Sequence, residues 1–188
     1  MTDARSLASR VAARGLCAAV ADRRRCAALA LGVLGAGALL VSSLFPPRPR
    51  LVWNTSESAP VGLYRVDDAR VLASGDMVLA RVPWRFRRLA AERRYIPSNV
   101  PLVKRVVAVP GDRVCGVRGA IFINGKFIAA RAARDARGRP MPWWNGCVVL
   151  GGGAYFLLME SPASFDGRYF GPTRRADIIG EATPLWMR

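Results

Sequence analysis

A mainly β domain behind one N-terminal membrane-spanning helix is the fold this sequence predicts, and three observations predict it. Cys26 to Pro47 carries no charge. From about Leu51 onward, short apolar runs are cut by glycine and proline, the pattern of short strands joined by turns. Asn124-Gly125 stands between AIFI and KFIA, and both residues tolerate the positive φ that a two-residue hairpin demands.

Residues 1–25 are polar and basic, with Arg5, Arg10, Arg14, Arg23, Arg24 and Arg25 set against Asp3 and Asp22. The run CAALALGVLGAGALLVSSLF follows. At about 1.5 Å of rise per residue it covers roughly 30 Å, the thickness of a bilayer's hydrocarbon core. Arginines ahead of the span place the N-terminus in the cytoplasm by the positive-inside rule, and a long basic domain still translocates. The expectation is a single-pass protein of the bacterial inner membrane: a cytoplasmic segment 1–25, an anchor 26–47 and a periplasmic domain 48–188. A cleaved signal peptide is the alternative, with Val41 and Ser43 as small residues at the cut. The length of the span and of the basic segment before it favours a retained anchor.

Pro46, Pro47 and Pro49 make a short stiff exit from the membrane. Strands are predicted at 61–66, 76–82, 101–109, 120–124, 127–130, 154–159 and 177–182. The segment 84–95 (WRFRRLAAERRY) reads as a helix ending before Pro97. Its mixture of aromatics and arginines at Trp84–Arg88 suits either docking on anionic lipid or core aromatics beside solvated charges. Residues 131–146, with Gly138, Pro140, Pro142 and Gly146, read as a long loop. Cys17 and Cys26 fall at the cytoplasmic side or membrane edge, where thiols stay reduced. Cys115 and Cys147 fall in the exported domain, where a disulfide would persist. Pairing them would close a loop of about 30 residues, and such bridges contribute about 2–4 kcal/mol; two buried free thiols are the alternative.

The net charge of +16 selects no partner, because nucleic acid, anionic lipid and acidic proteins all attract a basic chain. The residues that carry the charge say more. Of 29 basic residues only two, Lys104 and Lys126, are lysine, and histidine is absent. Without imidazole there is no Ser-His-Asp or Cys-His site, and zinc loses its commonest nitrogen ligand. Arginine cannot serve as a base, since its guanidinium keeps its proton. Where a proton acceptor other than a carboxylate is needed, a lysine must provide it. Arginine-rich codon usage explains the ratio but not which two positions stay lysine.

Three segments carry side chains suited to chemistry. In Asn54-Thr-Ser-Glu-Ser-Ala-Pro-Val-Gly-Leu-Tyr64, a Ser/Thr cluster before Pro60 and Gly62 forces irregular backbone at a strand entrance. Such backbone exposes a hydroxyl and aims amide N–H groups at one point, as a nucleophile with an oxyanion hole requires; a plain turn is the blander reading. In Pro101-Leu-Val-Lys-Arg-Val-Val-Ala-Val-Pro-Gly-Asp112, Lys104 shares a strand face with Leu102 and Val106. An ammonium among apolar side chains is costly, so its pKa falls, in documented cases to about 5–6. A lysine near neutrality is a usable base. Both faces of this strand read apolar, so periodicity leaves open a lysine whose head reaches water. In Glu160-Ser-Pro-Ala-Ser-Phe-Asp-Gly-Arg-Tyr-Phe-Gly-Pro172, Asp166 and Arg168 can pair in a bent loop and Ser164 offers a hydroxyl.

In this order the three segments resemble the serine–lysine signal peptidases, and among them the TraF-type peptidases of conjugative transfer. N-T-x-x-S-x-P-x-G-x-Y at 54–64 is similar to the TraF-type nucleophile box. K-R-V-V-A-V-P-G-D at 104–112 is similar to the lysine box and is the most specific of the three, and S-F-D-G-R-Y-F-G-P at 164–172 is similar to the last box. The resemblance covers the anchor and nearly all of residues 51–188. It implies a coiled antiparallel β-sheet domain, Ser58 as nucleophile and neutral Lys104 as base. It implies an oxyanion hole from the Ser56 hydroxyl and the Ser58 N–H. Ser164 would hold the lysine amine, and Asp166 with Arg168 would brace that loop. Gly167 departs from the pattern, which commonly has serine there. The implied substrate is a signal-peptide-bearing precursor, typically a pilin, cut after small residues at the positions one and three before the bond.

No cofactor is implied, no metal-ligating cluster stands in the sequence, and no specific nucleic-acid partner is expected, since no recognition motif accompanies the charge. A LexA-like self-cleaving regulator also uses serine and lysine, but needs a DNA-binding domain where this chain has an apolar span. A non-catalytic exported β module of a secretion or conjugation apparatus is the remaining alternative.

Overall fold

The structure, a computed structural model, describes residues 3–44, 48–68 and 71–188, with residues up to 22 and Arg24 described by backbone alone. Pro46, Pro47 and the Cys17 side chain lie outside the described residues. The chain divides into two compact units, Met1–Arg48 and Pro49–Arg188.

The first unit is one helix, α1 (Asp3–Leu44), so the basic segment continues the apolar helix rather than standing apart from it. Within it Arg25–Leu44 has 20 residues and a mean hydropathy of 2.1, long and apolar enough to cross a bilayer. Cys26 is a free, exposed thiol.

The second unit is mainly β. Its strands in chain order are β1 (Leu51–Asn54), β2 (Gly62–Asp67), β3 (Met77–Ala80), β4 (Leu102–Ala108), β5 (Arg113–Val117) and β6 (Ala120–Ile123). β7 (Lys126–Ala130), β8 (Gly146–Val149), β9 (Ala154–Leu158), β10 (Thr173–Arg174) and β11 (Ile178–Met187) follow. A large sheet runs in the order β1-β2-β11-β3-β4-β9-β10 and a smaller one in the order β7-β6-β5-β8. Every pairing in them is antiparallel. Register shifts at Ile178/Gly180, Pro184/Trp186 and Val106/Ala108 bend and twist the large sheet, as bulges do. A shared cluster of Ala108, Val114, Ile121, Phe156 and Leu158 buries the small sheet against β4 and β9.

The predicted strands all form, with ends moved by a few residues; β11 alone runs five residues further, to Met187. Asn124 (φ 49°) and Gly125 (φ 81°) make the predicted tight turn, leaving Ile123 opposite Lys126. Four strands escaped the pattern: β1, β5, β8 and β10. Two of them, RVCGV and GCVV, hold an internal or leading glycine, and pairing with neighbours rather than intrinsic propensity makes them strands. The 131–146 loop thus ends one residue inside β8.

The predicted helix is α2 (Trp84–Glu92). It stops earlier than Pro97 requires because Arg94 turns left-handed at φ 58°. Phe86 packs into the cluster of Val82, Ala90, Leu102, Phe165 and Phe170, whereas Trp84 is 70% exposed with Arg85 5.6 Å from its ring centroid. The segment therefore divides between core and surface.

Cys115 and Cys147 are joined by a disulfide, facing each other across β5 and β8. All four residues of β8 are exposed, so burial does little to hold this edge strand. A cross-link of this span stabilises the fold by about 2–4 kcal/mol.

Candidate active site

β4 lies between β3 and β9, with Lys104 opposite Val78. This position removes both of its edges from water, and the face that carries Leu102, Lys104, Val106 and Ala108 is buried along its whole length. Lys104 is 1% exposed, while the next side chain, Arg105, turns outward and pairs with Glu160 at 3.2 Å. Desolvation is the chief cause that draws the Lys104 amine down from 10.5 to about 8; the Asp166 carboxylate opposes the shift and Arg168 adds to it. A buried lysine that shares its site with no unpaired carboxylate sheds its proton more easily. Lys126, the other lysine, begins β7 and is exposed.

Ser58 comes from the loop 55–61 that joins β1 to β2, closed at its base by the pair Asn54–Gly62. Its Oγ stands 2.9 Å from Lys104 Nζ. Ser164, itself 1% exposed, places its Oγ 2.8 Å from the same nitrogen. The amine is thus held between two hydroxyls, with Ser58 half-buried and reachable. Ser56 Oγ lies 2.8 Å from Ser58 Oγ and accepts from the Ser58 N–H at 3.3 Å.

Ser164 and Asp166 sit in the turn between β9 and a short helix, α3 (Gly167–Phe170). Asp166 caps that helix by accepting from the Arg168 N–H at 3.1 Å. The Arg168 guanidinium binds both Asp166 oxygens, at 2.9 and 2.8 Å, and donates to the carbonyls of Met159 and Ser161. Asp166 also accepts from the Met159 N–H at 3.1 Å. Both charges are at most 2% exposed, so the turn is tied to the end of β9 by a fully satisfied ion pair. Gly167 leaves no room for a side chain: a Cβ there would lie 2.7 Å from the Leu157 carbonyl oxygen and 3.0 Å from the Phe156 ring. Glycine, where the pattern commonly has serine, is thus the residue that this close approach of the Leu157 backbone admits.

The three sequence segments converge, and all six residues singled out for the site fall in one cluster. Sequence reasoning missed two supporting features. Asn54 is buried beneath the nucleophile loop, where its Oδ1 accepts from the Ser56 N–H at 3.2 Å. The signal for this was an Asx-turn residue two positions before Ser56. The second feature is a wall of the cavity beside Ser58 and Lys104, a space of about 500 Å³ reaching to Arg134 and Asp135 in the 131–146 loop. Tyr95 donates to Asp135 at 2.6 Å, and Arg139 Nε donates to the same carboxylate at 2.7 Å; these bonds, the tyrosine's foremost, hold the Asp135 carboxyl well below its usual range. Nothing in the local sequence pairs positions forty residues apart.

A family model described as "Signal peptidase, peptidase S26" matches residues 23–187. The chain is 33% identical over 161 residues to the plasmid transfer protein TraF of Escherichia coli, covering 80% of this chain and 90% of that protein. It is 36% identical over 145 residues to the conjugal transfer protein TraF of Agrobacterium fabrum (strain C58 / ATCC 33970), covering 71% and 80%. A signal peptidase I of Enterococcus faecalis V583, solved as a crystal structure, aligns with 60% of this chain and 97% of its own at 18% identity and a TM-score of 0.35. With its three motifs folded into one cluster and these relatives beside it, the chain belongs to the peptidase S26 signal peptidases, in their TraF-type branch.

Proposed function

We propose that this protein is a membrane-anchored serine endopeptidase that removes signal peptides from exported precursors by a Ser58/Lys104 dyad. The observation that carries the proposal is a serine hydroxyl 2.9 Å from a lysine amine that is 1% exposed and bound on its other side by Ser164. Neutral Lys104 takes the Ser58 proton as Ser58 Oγ bonds to the scissile carbonyl carbon. The carbonyl oxygen, now negative, replaces Ser56 as the partner of the Ser58 N–H, and the Ser56 hydroxyl turns to donate to it. Lys104 then passes its proton to the leaving amine as the peptide bond breaks, leaving an acyl ester on Ser58. Water attacks that ester, Lys104 again accepting and returning a proton, and the freed carboxylate departs. Ser164 orients the amine throughout, and the Asp166–Arg168 pair fixes Ser164.

The cavity offers an apolar bed, with Ile96, Leu102, Met141 and Phe165 among its lining residues, for an extended segment with small side chains. Its relatives' names point to a conjugative setting, and a pilin precursor is the substrate proposed here. The helix Arg25–Leu44 would be the single-pass inner-membrane anchor, with residues 1–25 cytoplasmic and the domain from 48 onward periplasmic. Incubating a detergent-solubilised pilin precursor with the wild type and with Ser58→Ala tests the function. Mass spectrometry should show loss of the signal peptide with the wild type and a reduction of at least about 10³-fold with the variant. An unchanged precursor mass with wild-type enzyme discards the pilin as substrate; equal processing by wild type and Ser58→Ala takes the role of nucleophile away from Ser58.

Membrane lipid is the second proposed partner. Exposed Trp84 beside Arg85, on a helix that also presents Arg88 to solvent, suits an anionic headgroup layer. The exported domain should float with vesicles containing anionic lipid at low salt and lose that association with Trp84→Ala and Arg85→Ala together. Equal flotation of the double variant would refute docking through this helix.

A further inference from the structure

We propose that Asn54 is the positioning residue of the nucleophile loop, its side-chain amide setting where Ser58 Oγ stands relative to Lys104 Nζ. The proposal rests on the dyad reading above. Asn54 is the last residue of β1 and is buried. Its Nδ2 donates to the carbonyls of Ser56 at 3.0 Å, Ala59 at 3.1 Å and Pro60 at 3.0 Å, while its Oδ1 accepts from the Ser56 N–H at 3.2 Å. These bonds grip the loop on both sides of Ser58. Among the described residues, the backbone gives the loop one long internal bond, Ala59 N–H to the Ser56 carbonyl at 3.3 Å. The Tyr64 hydroxyl adds a bond to the Pro60 carbonyl at 2.8 Å and the Arg188 N–H one to the Val61 carbonyl at 2.9 Å, both on the far side of Ser58; the Asn54 amide is the side chain that bonds the loop on both sides of it.

The chemistry at Ser58 is sensitive to this support. Its Oγ contacts Ser56 at 2.8 Å and Lys104 at 2.9 Å, and neither contact fixes the backbone that delivers it. A misplacement of about 1 Å at a reacting group costs about 10²-fold in rate. Asparagine is the side chain that fits the task. It has two N–H donors for outward-facing carbonyls and one acceptor for an N–H. Aspartate has the same shape but only acceptors, so the oxygen in place of Nδ2 would face three carbonyls. Glutamine is longer by a methylene, and serine brings one donor.

The two lysines make the test direct. Side-chain NMR of the full chain in detergent, labelled with 13C-lysine, yields one signal from Lys104 in the site and one from exposed Lys126. Ser58→Ala fixes where the Lys104 signal lies when the neighbouring hydroxyl is gone. Asn54→Asp and Asn54→Ala should both move the Lys104 signal toward that position with Lys126 unmoved. On a signal-bearing precursor they should lower kcat by about 10²-fold with KM within about twofold. Where Asn54→Ala or Asn54→Asp melts early, the milder Asn54→Ser carries the same comparison. A Lys104 signal and a kcat at wild-type values in the folded variants overturn the positioning role alone. A Lys104 signal that Ser58→Ala itself leaves unmoved overturns the Ser58–Lys104 reading, and this proposal with it.

Discussion

Lys104→Met is expected to lower kcat/KM for precursor cleavage by about 10³-fold or more while leaving the melting temperature unchanged or higher. Methionine keeps the length and apolar stem of lysine but has no proton acceptor of useful strength. In the wild type, an amine at about 8 instead of 10.5 holds roughly 300-fold more of its neutral form at pH 7 than an ordinary lysine. Activity should therefore rise about tenfold per pH unit below pH 8 and level off above it. Stability follows the same shift with a sign that opposes function. The unfolded chain binds a proton between pH 10.5 and about 8 that the folded chain does not. The cost of folding with this lysine buried is thus complete below pH 8, at roughly 3 kcal/mol, and fades as pH rises to 10.5. Lys104→Met removes that cost and gives up two hydrogen bonds worth about 1 kcal/mol each, hence the neutral or positive effect at pH 7. Cleavage rates from about pH 6 to 10 and paired thermal melts measure both. A methionine variant that still cleaves with the wild-type pH profile would move the base to another residue.

Arg168→Met is expected to destabilise the fold by about 3–5 kcal/mol, a fall of roughly 10 °C or more in melting temperature. Asp166 and Arg168 are 0% and 2% exposed, and the guanidinium also satisfies the Met159 and Ser161 carbonyls. Removing it strands a carboxylate where water does not reach, and an unpaired buried charge costs more than the pair contributed. The site should register the loss separately. Desolvation lowers the Lys104 pKa, Asp166 raises it and Arg168 lowers it, so the variant leaves desolvation opposed by Asp166 without the help of Arg168, and the rising limb of the pH–rate profile should move above about 8. Asp166→Asn combined with Arg168→Met should recover part of the stability, since neither charge remains. Denaturant melts and a pH profile taken below the melting temperature test the pair. A single variant within about 1 kcal/mol of the wild type would show that the turn stands without it.

The long apolar helix and most of the strands were legible because their signals are local. Twenty uncharged residues need no partner to be recognised, and Asn124-Gly125 carries its own turn chemistry. Strands such as β5 and β8 were not legible, because a glycine-bearing segment becomes a strand when a neighbour presents an edge and, here, a cysteine to bond. The end of α2 depended on one left-handed residue, Arg94, which composition does not announce.

The candidate site divides in the same way. By itself the sequence determined which chemistry was open: a chain with no histidine and two lysines leaves a lysine as the base other than carboxylate, and one of those lysines lies in the most specific motif. Three ordered boxes also named Ser56, Ser58, Ser164, Asp166 and Arg168. Tertiary structure alone decided that Lys104 and not Arg105 faces inward, since both faces of β4 read apolar and only the layers packed on them choose. It decided as well that Asn54 holds the loop and that Tyr95 and Arg139 fix Asp135 in the cavity wall. The physical reason is that desolvation and hydrogen-bond geometry depend on what folds against a residue from elsewhere in the chain. A sequence motif names the groups, and packing sets their distances and their protons.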